Sequence, residues 1–271
     1  MISEPAKPST QGPAKNLAKG LGILNKIANS DDGLTLSEVT QLSGVPKATA
    51  HRLINVLLEH GMVRVSSENR YFAGPQCLIL GNLFLGGLSL RQEAQGLLRK
   101  LARETLETCH LGIKEGPQIV YIEKVESPHA VRMYSRVGAT NPVHSTALGR
   151  AMLAYCDEDV IEAVISSGLE RRTPNTITEP DLFRAKLAEV KRRGFAVDDI
   201  ENEEGIRCVA APVFDHNGDV VAGISVSGPE QRVTAERLND LGTKVAESAF
   251  ALSRRLGYAV EPSAVYRSAS D

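Results

Sequence analysis

Apolar and polar residues follow a helical period through the N-terminal part of the chain. Leucines, isoleucines and valines recur every three or four positions, which places them on one face of a helix. The pattern predicts a helix over residues 14–29, a second over residues 36–43, and a third that begins after Pro46. The residues predicted to face inward are Leu17, Leu21, Leu24 and Ala28 with Ile23 and Ile27 beside them, then Val39 and Leu42, and then Ala50, Leu53, Ile54 and Leu57.

The second and third helices are predicted to be joined by a tight turn. Thr35, with Glu38 three positions later, forms the capping-box pattern that begins a helix. Gly44 can adopt the left-handed conformation that ends a helix. Pro46 suits the start of the next helix, because an N–H group at that position would have no partner. This arrangement is typical of a helix-turn-helix.

A short β-hairpin is predicted next, over residues 63–65 and 70–73. Three helices followed by a hairpin indicate a winged helix-turn-helix over residues 14–75, whose third helix can enter a DNA major groove. The residues predicted to contact double-stranded DNA are Lys47, Thr49, His51, Arg52, Arg64 and Arg70. The alternative is an ordinary solvated polar face, and Arg52 could reach either a guanine edge or a phosphate.

Residues 76–89 are too apolar for a solvated linker and too short to span a membrane. The apolar residues of this segment are Leu78, Ile79, Leu80, Leu83, Phe84, Leu85 and Leu88. A helix that is apolar on all sides has to be covered. We therefore predict a linker helix that pairs with the same helix of a second chain.

Residues 90–257 combine helical and period-two patterns, which predicts an α+β domain. A helix over residues 90–108 should bury Leu97, Leu98, Leu101 and Leu106. The predicted strands are residues 110–113, 118–123, 131–136, 195–199, 207–214 and 220–228. The predicted helices are residues 150–155, 157–167, 179–193 and 230–256. The terminal segments, residues 1–13 and 258–271, are predicted to be a disordered arm and a tail.

Composition narrows the functional class. Only 4% of the residues are aromatic and there is no Trp, which disfavours stacking on single-stranded nucleic acid. The net charge of −2 is close to neutral and does not by itself indicate nucleic acid. The four cysteines are far apart, which fits a reducing cytoplasm, and no apolar run is long enough for a membrane span.

The loop of residues 138–149 runs into a helix that Ser145 or Thr146 can cap, so its first N–H groups are available to an anion. Ser225 and Ser227 alternate along a strand and face the same side. Two hydrogen-bonded core serines are the alternative. Either Asp198 or Asp199 could face inward beside them.

Two other chemistries were weighed. Cys208, His144 and Asp198 could form the nucleophile, base and orienting group of a GAF-like thiol enzyme or sensor, in which the winged helix would only mediate protein contacts. Cys109, His110 and His144 lack the spacing that is typical of a zinc site. We predict neither a catalytic site nor a metal or cofactor.

The chain resembles the IclR family of bacterial transcriptional regulators over about residues 14–257. The matching segments include Gly44-Val-Pro-Lys-Ala-Thr-Ala-His-Arg-Leu53, Pro142-Val-His-Ser-Thr-Ala-Leu-Gly-Arg150, Gly205-Ile-Arg-Cys-Val-Ala-Ala-Pro-Val213 and Ser225-Val-Ser-Gly-Pro229. The resemblance implies a GAF-like effector-binding domain, and dimers or dimers of dimers on palindromic operators. It also implies that a small organic acid or other catabolic metabolite acts as the effector. Effector contacts are implied at Ala147, Leu148, Asp198, Cys208, Ser225 and Ser227, with Met133 and Ile206 as the apolar lining.

Overall fold

The computed structural model describes residues 13–87 and 89–259, and for residues 82–87 it describes the backbone alone. The predicted arm up to residue 12, Leu88 and the tail from residue 260 lie outside the described residues, as do the side chains of Leu83, Phe84 and Leu85. The chain divides into two units between Leu88 and Ser89.

The N-terminal unit is the predicted three-helix and hairpin arrangement. It contains α1 (Pro13–Ala28), α2 (Leu36–Ser43), α3 (Lys47–Glu59) and an antiparallel pair, β1 (Val63–Val65) and β2 (Tyr71–Ala73). The capping box forms, since Thr35 Oγ1 accepts from the Glu38 amide and Glu38 Oε2 accepts from the Thr35 amide. Gly44 ends α2 in the left-handed conformation, with φ at 65°. The local chemistry of these residues therefore sets the turn between α2 and α3.

The inward face of α1 differs from the predicted stripe. Ile23, Leu24 and Ile27 are buried, whereas Leu17 is 66% and Leu21 is 50% exposed. Both stripes are apolar, so the helical period could not choose between them. Packing within the N-terminal unit buries Ile23, Leu24 and Ile27 in one core with Ala50 and Ile54 of α3. The prediction for Leu42 is also wrong, since that side chain is exposed.

Helix α4 spans Pro75–Gly87 and corresponds to the predicted linker helix. Leu78, Ile79 and Leu80 are exposed on consecutive sides of it. Among the described helices, none combines the length and the apolar character that crossing a membrane would take.

The C-terminal unit is a six-stranded antiparallel sheet with helices packed on it. Its elements are α5 (Leu90–Thr105), β3 (Thr108–Glu115), β4 (Gln118–Val125), β5 (Thr140–Pro142), α6 (Ala147–Leu153), α7 (Glu158–Ser166), α8 (Pro180–Arg193), β6 (Ala196–Asp199), β7 (Ile206–Phe214), β8 (Val220–Pro229) and α9 (Leu238–Arg255). The strand order is β5-β4-β3-β8-β7-β6. Strand alternation places Gly223, Ser225 and Ser227 on one face, and Leu148 of α6 contacts this face at Gly223.

Three predicted elements of this unit need correction. Residues 131–136 form no strand, and the strand that pairs with β4 at this edge of the sheet is β5. Helix α5 ends at Thr105, since Leu106 adopts a left-handed conformation with φ at 59° and points to solvent. Helix α9 begins only at Leu238, after a short 3₁₀ turn at Ala235–Arg237. Tyr258, assigned to the tail, is buried and stacks on Phe214.

Candidate functional site

The outer face of α3 is polar and partly cationic. Ala50 and Ile54 anchor the helix in the core of the N-terminal unit. On the opposite side Lys47, His51 and Arg52 are exposed, and Thr49 is half-buried. The structure therefore presents the predicted side chains together on a helix whose other face is fixed.

Arg64 lies on the hairpin next to this helix in sequence. It is exposed, and its guanidinium carbon lies 4.6 Å from the centre of the Phe72 ring, its partner across the two strands. The ring holds the guanidinium by a cation–π contact and still leaves its N–H groups free to bind an anion.

Arg70, at the start of the second hairpin strand, makes contacts within the N-terminal unit. Its Nε donates to the carbonyl oxygen of Asp32 (2.7 Å) and its Nη2 to that of Gly33 (2.8 Å). Nη2 also lies 3.4 Å from Glu38 Oε2 of the capping box. Arg70 therefore holds the α1–α2 turn and the start of α2, and its contact with DNA stays a prediction.

A small cavity, with an accessible volume of about 10 Å³, lies in the C-terminal unit between α6 and strands β4, β7 and β8. The predicted effector residues all line it, and they are joined by four further residues. The lining consists of Met133, Ala147, Leu148, Asp198, Ile206, Cys208, Ser225 and Ser227, together with Tyr121, Thr146, Asn202 and Glu203.

Helix α6 begins at the wall of this cavity. Thr146 is its N-cap, and the Thr146 hydroxyl accepts from the amide of Gly149 (3.1 Å) and donates to the carbonyl of Pro142 (2.8 Å). The first amides of a helix have no partner within the helix. Ala147 and Leu148, which carry the first of these amides, line the cavity.

Asp198 is buried and Asp199 is exposed, which settles which of the two faces inward. Asp198 Oδ1 accepts from the amides of Glu201 (2.7 Å) and Asn202 (3.3 Å). Burial raises the pKa of Asp198 to about 7, against the lowering effect of the Arg150 charge and of the backbone N–H bonds. Asp199 instead pairs with Arg207 (2.7 Å) at the surface.

The alternative arrangement, with Cys208 as nucleophile and His144 as its base, does not form. Nε2 of His144 donates to the carbonyl oxygen of Glu170 (2.9 Å), and no hydrogen bond joins His144 to Cys208 in the described part of the chain. Burial raises the pKa of Cys208, which keeps it a protonated thiol. Within residues 13–87 and 89–259, no cluster of His, Cys, Asp and Glu side chains is arranged to hold a metal ion.

A buried histidine lies behind the cavity. The Nδ1 of His110 is 3.4 Å from Ser225 Oγ, its Nε2 is 2.7 Å from Ser135 Oγ, and its ring packs on Tyr121. Burial lowers the pKa of His110 to about 3, so the ring is neutral and supplies one donor and one acceptor.

A buried ion pair supports the cavity wall, and the sequence reasoning missed it. Arg150 makes a bidentate contact with Glu201, and its Nη1 donates to the carbonyl of His144 (3.3 Å). Both residues are buried. The sequence did contain an indication of this pair. The other residues of α6 are apolar or small and predict a buried helix, so its one arginine needed a buried partner.

Two family models match the chain. The model described as "IclR helix-turn-helix domain" matches residues 16–67, and the one described as "Bacterial transcriptional regulator IclR C-terminal" matches residues 83–254. They cover the two structural units in the same order.

Characterised relatives have the same organisation. The HTH-type transcriptional regulator XynR of Escherichia coli is 35% identical over 90% of this chain and 98% of that protein. The transcriptional repressor IclR of Escherichia coli is 32% identical over 88% of both chains. Among solved structures, the repressor BlcR of Agobacterium tumefaciens has a TM-score of 0.79 at 28% identity, covering 92% of this chain and all of that one. These relatives are regulators of transcription rather than enzymes.

Proposed function

Because the chain belongs to the IclR family of bacterial transcriptional regulators, we propose that it represses transcription from a palindromic operator and releases the DNA when a small organic acid binds. The observation that carries this proposal is the cavity, which brings together the first turn of α6, two serines and a buried aspartate. Repression is supported by relatives that are named as repressors, IclR and BlcR.

The operator would be bound by two copies of the N-terminal unit. The exposed Leu78, Ile79 and Leu80 of α4 give a second copy an apolar surface to cover. A dimer engages two half-sites only if its recognition helices are separated by one turn of DNA, about 34 Å, or a multiple of it. A small change in that separation would therefore switch affinity. A pair of such dimers would bind with greater avidity.

A small acid fits the chemistry of the cavity. Its carboxylate would be held by the amides of Ala147 and Leu148 and by the hydroxyls of Ser225 and Ser227. Met133 and Ile206 would cover the apolar part of the molecule.

Replacing Arg52 with alanine should weaken operator binding by about 10- to 100-fold, the range for losing one good side-chain contact to a base. The measurement is a titration of the intergenic DNA beside the gene, with footprinting. Lys26→Ala is the matched control, because it removes the same charge from an exposed position on α1. An unchanged affinity and footprint for Arg52→Ala would remove Arg52 from the interface. If Arg52→Ala weakens the binding of all DNA sequences equally, Arg52 contacts a phosphate and not a base.

Titration with acetate, lactate, benzoate and gluconate should identify at least one acid that raises the melting temperature and weakens operator binding. Ser225→Ala should then bind that acid about 10- to 100-fold more weakly, since a hydrogen bond to a charged group contributes about 1.5–3 kcal/mol. Ser166→Ala, on the exposed side of α7, is the control for the same chemical change. If neither wild type nor variant responds to any of these acids, the organic-acid effector is wrong.

A further inference from the structure

The two oxygens of Asp198 have different surroundings. Oδ1 accepts both backbone N–H bonds, from Glu201 and Asn202. Oδ2 makes no hydrogen bond within the described residues, and the side chain lines the cavity while only 2% of the residue is exposed. A carboxylate oxygen that faces so small a cavity without a hydrogen-bond partner is poorly solvated, which favours the protonated form of the group.

No cationic side chain lines the cavity. Arg150 is the cation whose charge acts on Asp198. Its guanidinium is already bound by Glu201 in a bidentate pair. A ligand carboxylate would therefore enter a small space that is lined by the carboxyl groups of Asp198 and Glu203 and by no free positive charge. Two carboxylates that share such a site cannot both stay ionised, and one of them keeps a proton.

We propose that Asp198 binds the effector as the acid, with its proton on Oδ2 donated in a hydrogen bond to the carboxylate of the effector. This inference rests on the proposed effector function of the cavity. Oδ1 keeps both backbone bonds, so the side chain need not move. The proton comes from solvent. When Asp198 is ionised in the free protein, the binding of each acid anion is therefore accompanied by the uptake of one proton.

Titratable and charged groups face Asp198 from several elements of the C-terminal unit. From α6 and the 200–203 loop these are Arg150 and its partner Glu201, and from β7 it is Cys208, whose pKa is raised. Burial also raises the pKa of Tyr121 on β4. Glu203, at the exposed mouth of the cavity, has a pKa raised from 4.5, and Arg172 opposes that rise. His110 and His144, both with lowered pKa, remain neutral.

The direction of the pH dependence of acid binding follows from the protonation state of Asp198 in the protein without effector. With a pKa of about 7, free Asp198 is mostly protonated at pH 6 and mostly ionised at pH 9. Carboxylic acids of the panel are ionised throughout this range. The affinity should therefore be constant at low pH and fall about tenfold for each pH unit above the pKa of Asp198, because one proton must be taken up per bound anion.

The test uses the full-length protein and the acid of the panel above (acetate, lactate, benzoate or gluconate) that raises the melting temperature most. Calorimetry at pH 8 in two buffers of different ionisation enthalpy should give an uptake close to one proton per bound acid. Asp198→Asn carries an amide that can accept the same backbone bonds and always donates toward the cavity. It should bind at pH 9 as tightly as wild type binds at pH 6, with no slope.

Asp199→Asn, one residue along and exposed, is the control and should keep the wild-type slope. Acid binding that takes up no proton, or a slope that persists in Asp198→Asn, would overturn the role of Asp198 and leave the effector function standing. Should Asp198→Asn fail to fold, the proton count on wild type decides alone. Absence of binding by all of these acids at pH 6 would overturn the effector function and this role with it.

Discussion

Replacing Arg150 with methionine is expected to destabilise the C-terminal domain by about 3–5 kcal/mol, because it leaves a buried carboxylate without its partner. Glu201 is almost fully buried and depends on both guanidinium nitrogens. Loss of the pair would also release the loop that carries Asp198 and Asn202, so acid binding should be lost as well. Urea unfolding of the full chain, with hydrogen exchange of the β7 amides, measures the effect in this domain.

The matched control removes both charges. In Arg150→Met with Glu201→Met, no isolated buried charge remains, and such double replacements are often close to neutral. The double variant should therefore be more stable than Arg150→Met alone, although the carbonyl of His144 still loses its donor. If the double variant is less stable than either single variant, the attraction between Arg150 and Glu201 itself stabilises the domain. The pair would then do more than neutralise two buried charges.

The N-terminal unit could be predicted well because its signals are local. The Thr35 and Glu38 capping box, the left-handed Gly44 and the positions of the hairpin strands each depend on residues close in sequence. The face of α1 could not be predicted, since it depends on how α1 packs on α3 in the core of the unit. A helical period identifies the presence of an apolar face, and tertiary contact selects which of two overlapping faces is buried.

The cavity residues were obtained from family resemblance more than from pattern. Strand alternation correctly paired Ser225 with Ser227, but nothing in the spacing brings them to Ala147 or Asp198. Met133 lines the cavity even though its predicted strand does not exist. Arg150 was missed because its partner Glu201 is 51 residues away in sequence. Contacts of that range have no local signature.

The roles of the polar residues required the structure. Arg70 has the composition and position of a phosphate contact, and its engagement with Asp32 and Gly33 became visible only in three dimensions. His144 was a candidate base until its bond to the carbonyl of Glu170 gave it a structural role. In both cases the residue type allowed two functions, and the hydrogen-bond partners reveal the structural one.

Gly149→Ala is expected to destabilise the C-terminal domain by about 3 kcal/mol or more, at or beyond the upper end of ordinary overpacking. A Cβ atom at this position would overlap the backbone of Val143, which has no flexible end that could move aside. Backbone must therefore shift at the start of α6, and the amides of Ala147 and Leu148 would move with it. The variant should lose acid binding even under conditions in which it remains folded.

Gly96→Ala supplies the control for this change. Gly96 also lies in a helix of the same domain, but no atom lies within 4 Å of its added Cβ. Alanine is favoured over glycine in an exposed helix by about 0.5–1 kcal/mol, so this variant should be slightly more stable than wild type. Opposite signs for the two substitutions, measured by thermal unfolding and acid titration, would trace the cost at Gly149 to its contact with Val143. Equal signs would mean that α6 tolerates a displacement of its first turn and that the cavity does not depend on it.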